Sequence, residues 1–116
     1  DKLQVDWNSG DMGAYLDAYW NDEGLSLIFG GRVVRGWQPL SDLFSSSWTT
    51  EEAMGDFKVV DITLSFQQPN MVIVSGGFEH EFPAEKVVGA FSQTWRRFED
   101  GQWLIVNEVT SRAANH

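Results

Sequence analysis

Gly89 to Ser111 reads as two long strands folded about an Asp100-Gly101 turn, and few architectures can use such a hairpin. The second strand is apolar on both faces from Trp103 to Val106 and is then interrupted by a carboxylate, Glu108. A strand covered on both sides has a core against one face and a second buried surface against the other. An acid placed there is either a satisfied structural group or the working group of a pocket.

The turn decides which side chains share the Glu108 face. If Glu99-Asp100-Gly101 is a three-residue loop with a glycine bulge, Ser92 lies across from Glu108 and Thr94 across from Val106. Leu104, Val106, Glu108, Thr110, Ser92, Thr94 and Arg96 then face one way. Trp103, Ile105, Asn107, Val109, Phe91, Gln93 and Trp95 face the other. A two-residue Asp100-Gly101 turn would shift that pairing by one.

The remaining elements lie upstream. Leu3, Trp7, Met12, Tyr15, Leu16 and Tyr19 recur at helical spacing on either side of Asn8-Ser9-Gly10-Asp11. Gly10 supplies a C-terminal stop and Asp11 or Ser9 an N-cap, which predicts a helix, a kink and a second helix. Leu25–Phe29 and Arg32–Arg35 flank Gly30-Gly31 and predict a short hairpin. Pro39 to Trp48 reads as a third helix with Leu40, Leu43, Phe44 and Trp48 on one face. Asp56–Gln67 and Met71–Phe82 are long strands about Pro69-Asn70, and Gly76-Gly77 marks a bulge or bend.

Four long antiparallel strands cannot leave their apolar face wet, so the helices must cover it. The predicted class is α+β, a curved antiparallel sheet wrapped around three helices as a cone. At 116 residues the chain fits one domain over 1–116, burying roughly 65 % of its unfolded surface. A hydrophobic content of 42 % and six tryptophans suffice for a core without staples, and the absence of cysteine excludes thiol chemistry.

A net charge of −9, with Arg96-Arg97 as the only adjacent basic pair, argues against nucleic acid and anionic membranes as partners. No apolar run approaches the ~20 residues of a membrane span, so the default expectation is a cytoplasmic protein. The opening on Asp1 rather than Met leaves room for a removed leader or removed first-helix residues.

Particular residues on this plan resemble the nuclear-transport-factor-2-like superfamily, and within it the SnoaL-like group of small bacterial proteins. They are Trp7-Asn8-Ser9-Gly10-Asp11, Tyr19 with Asp22, Val34-Arg35-Gly36, Gly89 with Phe91, Trp95-Arg96-Arg97, and Asp100-Gly101 followed by Trp103, Ile105 and Val106. The resemblance implies a cone-shaped fold that hosts isomerases, dehydratases, cyclases, hydrolases and assembly modules. It does not imply ketosteroid isomerisation, which needs an aspartate base and a tyrosine with a protonated aspartate. Those positions fall at Leu27, Leu3 and near Thr94.

The SnoaL-like cyclases carry an acid/base aspartate seven residues after the turn glycine, and Glu108 stands there. The histidine that precedes their acid is missing from this chain. The same alignment favours the bulged loop, with position 108 facing a cavity. The pocket would then be lined by Tyr15, Tyr19, Trp37, Phe44, Trp48, Phe66, Ser92, Thr94, Arg96, Val106 and Thr110. The opposite face, with Phe91, Gln93, Trp95, Trp103, Ile105, Asn107 and Val109, would form a homodimer contact.

Each of these residues also has a structural reading. Glu108 can be a buried acid held by serine, threonine or tyrosine, or a general acid/base with a raised pKa. Tyr15 and Tyr19 can be core residues with one polar tip. Arg35 and Arg96 can pair with surface acids or neutralise an anionic ligand. His80 between Glu79 and Glu81 makes a poor metal site, because adjacent strand residues alternate faces. The functional expectation is a small-molecule-binding protein for an apolar or aromatic ligand, without cofactor or metal. Its enzymatic form would be a cyclase, isomerase or dehydratase; the alternative is an assembly or accessory module.

Overall fold

The computed structural model describes residues 2–29, 31–47, 54–82 and 85–112. Its elements are α1 (Lys2–Asn8), α2 (Met12–Leu16), β1 (Ser26–Phe29), β2 (Arg32–Arg35), α3 (Trp37–Ser47), β3 (Asp56–Gln68), β4 (Met71–Glu81), β5 (Lys86–Arg97) and β6 (Trp103–Arg112). The helix break follows from local chemistry. Gly10 takes φ 77°, and the Asp11 carboxylate accepts the Ala14 N–H at 3.0 Å as the cap of α2. Tyr19 lies beyond α2, in an isolated parallel bridge to Ile105 of β6.

The six strands form one curved sheet in the order β2-β1-β6-β5-β4-β3. All neighbours are antiparallel except β1 and β6, which run parallel. The short hairpin therefore extends the sheet beside the last strand. The helices cover the inner face, where Trp7, Leu16, Tyr19, Leu25, Leu27, Leu40, Phe44 and Ile105 form the buried core. Trp7 ties α1 to the segment before β3, since its indole N–H donates to Met54 O at 2.6 Å.

The bend of the long strands has two local causes. The pairing of β3 with β4 shifts between Val60 and Thr63, where Asp61 takes a left-handed φ of 55°. Gly76 and Gly77 lie on β4 beside this bulge, and a Cβ on Gly76 would stand 3.0 Å from Val60 O. The glycines thus let the bulged strand approach closely, and the irregular residue itself is on β3.

Gly89 shows the same logic on β5. It pairs with Phe78, whose ring covers it, and a Cβ there would meet Ser111 O and stand 2.6 Å from Phe78 Cζ. Because one obstacle is backbone, Gly89→Ala should cost about 3 kcal/mol, the upper part of the usual range for overpacking. Chemical denaturation of the variant checks this; an unchanged midpoint would show that β5 and β6 separate freely at that point.

Candidate functional site

Glu108 is placed by the closing hairpin. The turn has the expected three-residue form: Phe98 N–H donates to Gln102 O, Gly101 N–H donates to Phe98 O, and Gly101 takes φ 83°. From it the strands pair as Arg97 with Trp103, Arg96 with Leu104 and Trp95 with Ile105. A second irregularity then intervenes. Thr94 pairs with Asn107, so Val106 is an inserted residue of β6 without a Cα partner. Beyond it Glu108 pairs with Gln93, and Ser92 with Val109.

This bulge corrects the predicted faces. Three positions apart on a regular strand, Ile105 and Glu108 would point to opposite sides; the inserted residue turns both inward, and both are buried. Gln93, Trp95, Phe91 and Trp103 accompany them on the inner face, so these four and Ile105 leave the predicted dimer surface. Ser92, Thr94 and Arg96 move to the outer face, away from Glu108. Asn107 and Val109 stay outside as expected, where Asn107 Nδ2 donates to Ser26 Oγ at 2.8 Å. Thr110 pairs with Phe91 on the inner side.

Two side chains bond Glu108 directly, Tyr19 and Gln93, and each is bonded in turn by one more, Tyr15 and Trp95. Tyr19 O–H donates toward both carboxylate oxygens, at 3.0 and 3.1 Å. Gln93 Nε2 donates to Oε1 at 2.5 Å, and Trp95 Nε1 donates to Gln93 Oε1 at 3.0 Å. The indole therefore fixes which end of the amide faces the acid. Tyr15 OH stands 3.2 Å from Tyr19 OH and ends the chain on the helix side. Sequence reasoning placed both tyrosines near the acid but missed Gln93 and Trp95, because only the Val106 bulge brings them to its face.

The electrostatics follow from burial. Removal from water raises the Glu108 pKa above the ordinary 4.5, opposed by the hydrogen bonds from Gln93 and Tyr19. Burial, and then the negative charge of Glu108, raise both tyrosines above their ordinary value. The cluster is a place where a proton is held between competing oxygens. When Glu108 is ionised, each donor in the chain points toward it. When Glu108 carries the proton, Tyr19 oxygen can accept it and turn its own O–H to Tyr15, which reverses the chain.

The other predicted pocket residues take varied places. Phe44 is buried against Trp7, Tyr15 and Phe29. Trp37 packs on the core and donates its indole N–H to Leu16 O at 3.1 Å. Phe66 is exposed on the inner face of β3, with its ring edge-on to Trp103 at 6.4 Å. Trp48 lies outside the described residues. His80 is a packing residue: its Nε2 contacts Met54 O at 2.5 Å, its ring stacks on Phe82 at 4.0 Å, and burial lowers its pKa.

Among the described residues no cluster of three or more His, Cys, Asp or Glu is placed to hold a metal. Among them, too, no helix is long and apolar enough to cross a membrane.

This arrangement is the nuclear-transport-factor-2-like fold, in which a bent sheet encloses a helix-covered interior. A solved NTF-2-like protein of unknown function from Shewanella oneidensis is similar at TM-score 0.88, with 24 % identity over 95 % of this chain and 90 % of that one. A nuclear transport factor 2-like superfamily protein from Salmonella enterica serovar Typhimurium is similar at 0.77, with 16 % identity over 98 % and 85 %. A ketosteroid isomerase-like protein from Erwinia carotovora atroseptica is similar at 0.74, with 17 % identity over 98 % and 90 %. No family model and no curated protein matches the chain. At these identities the likeness concerns the fold, and activity has to be argued from the site.

Proposed function

We propose that the chain is a small-molecule-binding protein whose ligand lies on the inner face of the sheet beside the Tyr15–Tyr19–Glu108 chain. There the chain transfers a proton, in a cofactor-free step of isomerase, cyclase or dehydratase type. One observation carries this reading: a buried carboxyl is linked through Tyr19 to the hydroxyl of the half-buried Tyr15. Tyr15 protonates the ligand's carbonyl oxygen and is reprotonated from Glu108 through Tyr19, while water takes the α-hydrogen; reversal of these transfers returns the ketone and restores the proton to Glu108. A buried carboxylate costs stability that an apolar side chain would not, and such groups cluster at working sites.

Proton exchange tests the reading directly. Incubated in deuterium oxide with small cyclic ketones and enones, the protein should catalyse α-hydrogen exchange visible by NMR. The Glu108→Gln variant should lose that catalysis. Exchange that persists in the folded variant would remove Glu108 from the chemistry.

The outer face supports a homodimer as part of the same proposal. Val33, Ile28 and Val109 pair in one row across β2, β1 and β6, and their exposures of 56, 42 and 40 % leave an apolar strip open. The dimer contact thus moves from the predicted Trp103 side to this row. In sedimentation, the wild-type chain should run as a dimer and Ile28→Asp as a monomer. A wild-type monomer would reject the contact.

A further inference from the structure

We infer that the ligand is an amphipathic organic anion, with an apolar ring system against the sheet and its carboxylate or other oxyanion at Arg97. The inference rests on the proposed inner-face site and adds the class of molecule it takes.

The register defines a path along that face. Glu108 pairs with Gln93, Ile105 with Trp95, and Trp103 with Arg97. Arg97 is therefore on the same face as Glu108, four residues farther along β5, or about 13 Å at the usual rise. Between these two charges the sheet offers only uncharged positions. Val72 pairs with both Phe66 and Trp95, and the Phe66 and Trp103 rings meet above that row. Leu64 and Phe66 are 56 and 65 % exposed, so this part of the inner face is open to a ligand.

Arg97 is suited to the far end of such a molecule. Its guanidinium carbon lies 5.9 Å from the Trp103 ring centroid, so the ring orients the cation. The ion pairs among the described residues join Lys86 to Glu79 and Glu81, and Arg112 to Glu85; none involves Arg97. Glu99 and Asp100 lie nearby in the turn. Asp100 is engaged locally, accepting the Gln102 N–H at 3.0 Å. At the strand end Arg97 also borders an open groove of about 870 Å3 that Asn70, Arg96, Phe98, Glu99 and Asp100 line with it, so both arginines and both turn acids border that space.

In a chain of net charge −9, general attraction for anions is absent, so a preference for them must come from a placed cation. Arg96, the predicted pocket cation, is on the outer face over Phe98, at 5.0 Å from its centroid, and borders the same groove, so comparing the two arginines separates an anion held on the inner face from one held in the groove.

Calorimetric titration with naphthylacetate and with the neutral naphthylethanol tests the inference, with tryptophan fluorescence as a second readout. Wild type should bind the carboxylate about tenfold more tightly than the alcohol, the scale of one charge-assisted hydrogen bond. Arg97→Gln should abolish that preference, Arg97→Lys should keep part of it, and Arg96→Gln should leave it unchanged. Equal binding of the two probes by wild type overturns the inference. So does an unaffected Arg97→Gln, an equal loss in Arg96→Gln, or no binding of either probe. Failure of the acid/base reading looks different: the anion preference is present, yet Glu108→Gln leaves α-hydrogen exchange intact.

Discussion

Replacing Trp7 with alanine should destabilise the fold by about 3–5 kcal/mol, the range for a large aromatic removed from a packed core. Trp7 is 3 % exposed, and its ring meets Tyr15, Phe44, Phe57 and His80 at centroid distances of 4.9, 6.3, 6.4 and 5.2 Å. It joins α1 to both the tyrosine side and the β3–β4 side of the interior. Removing it opens a cavity that those rings cannot close without moving. Met54 O keeps its contact with His80, so the loss is mainly of packing. Thermal melting should fall by about 12–20 °C, taking about 4 °C per kcal/mol for a domain of this size. A drop of only a few degrees would mean that α1 is a loose appendage.

Glu108→Gln should raise stability at neutral pH and flatten its dependence on pH. Burial holds the folded pKa of Glu108 above 4.5, so the folded chain binds more protons than the unfolded chain above that pH. Wild-type stability therefore declines as pH rises through the window from 4.5 to the folded pKa, and the loss is complete above it. Each unit of upward shift is worth about 1.4 kcal/mol. The amide keeps an oxygen to accept from Tyr19 but carries no charge to desolvate.

His80 contributes the opposite slope. Its pKa is held below 6.5, so protonation of the unfolded chain costs stability as pH falls below that value. Subtracting the variant's denaturation curve from that of wild type at each pH isolates the Glu108 part. Parallel curves would show that Glu108 titrates as if in water, and the buried proton site would be lost with them.

The elements were legible in the chain because their signals are local. Gly10 and Asp11 announce the break between α1 and α2, and each works through its own backbone and nearest turn. Asp100-Gly101 defined the closing turn for the same reason. Helical spacing suggested that Tyr15 and Tyr19 share a helix, yet Tyr19 sits in a bridge to Ile105 after α2 has ended. The tyrosine pair was found for an incomplete reason. The parallel contact of β1 with β6 had no local mark, since it joins residues some eighty positions apart.

The amino-acid sequence by itself determined the order of helices and strands, the form of the last turn and the presence of an acid in an apolar strand. Those depend on backbone preferences and on periodicities that extend over a few residues. Only the tertiary structure decided which side chains meet that acid. One inserted residue, Val106, exchanges the faces beyond it, sending Gln93 to Glu108 and Ser92 to the outside. A bulge is stabilised by what both strands pack against. In this chain those surroundings are the bridge from Tyr19 to Ile105 and the core beneath it, and they exist only after the chain has folded.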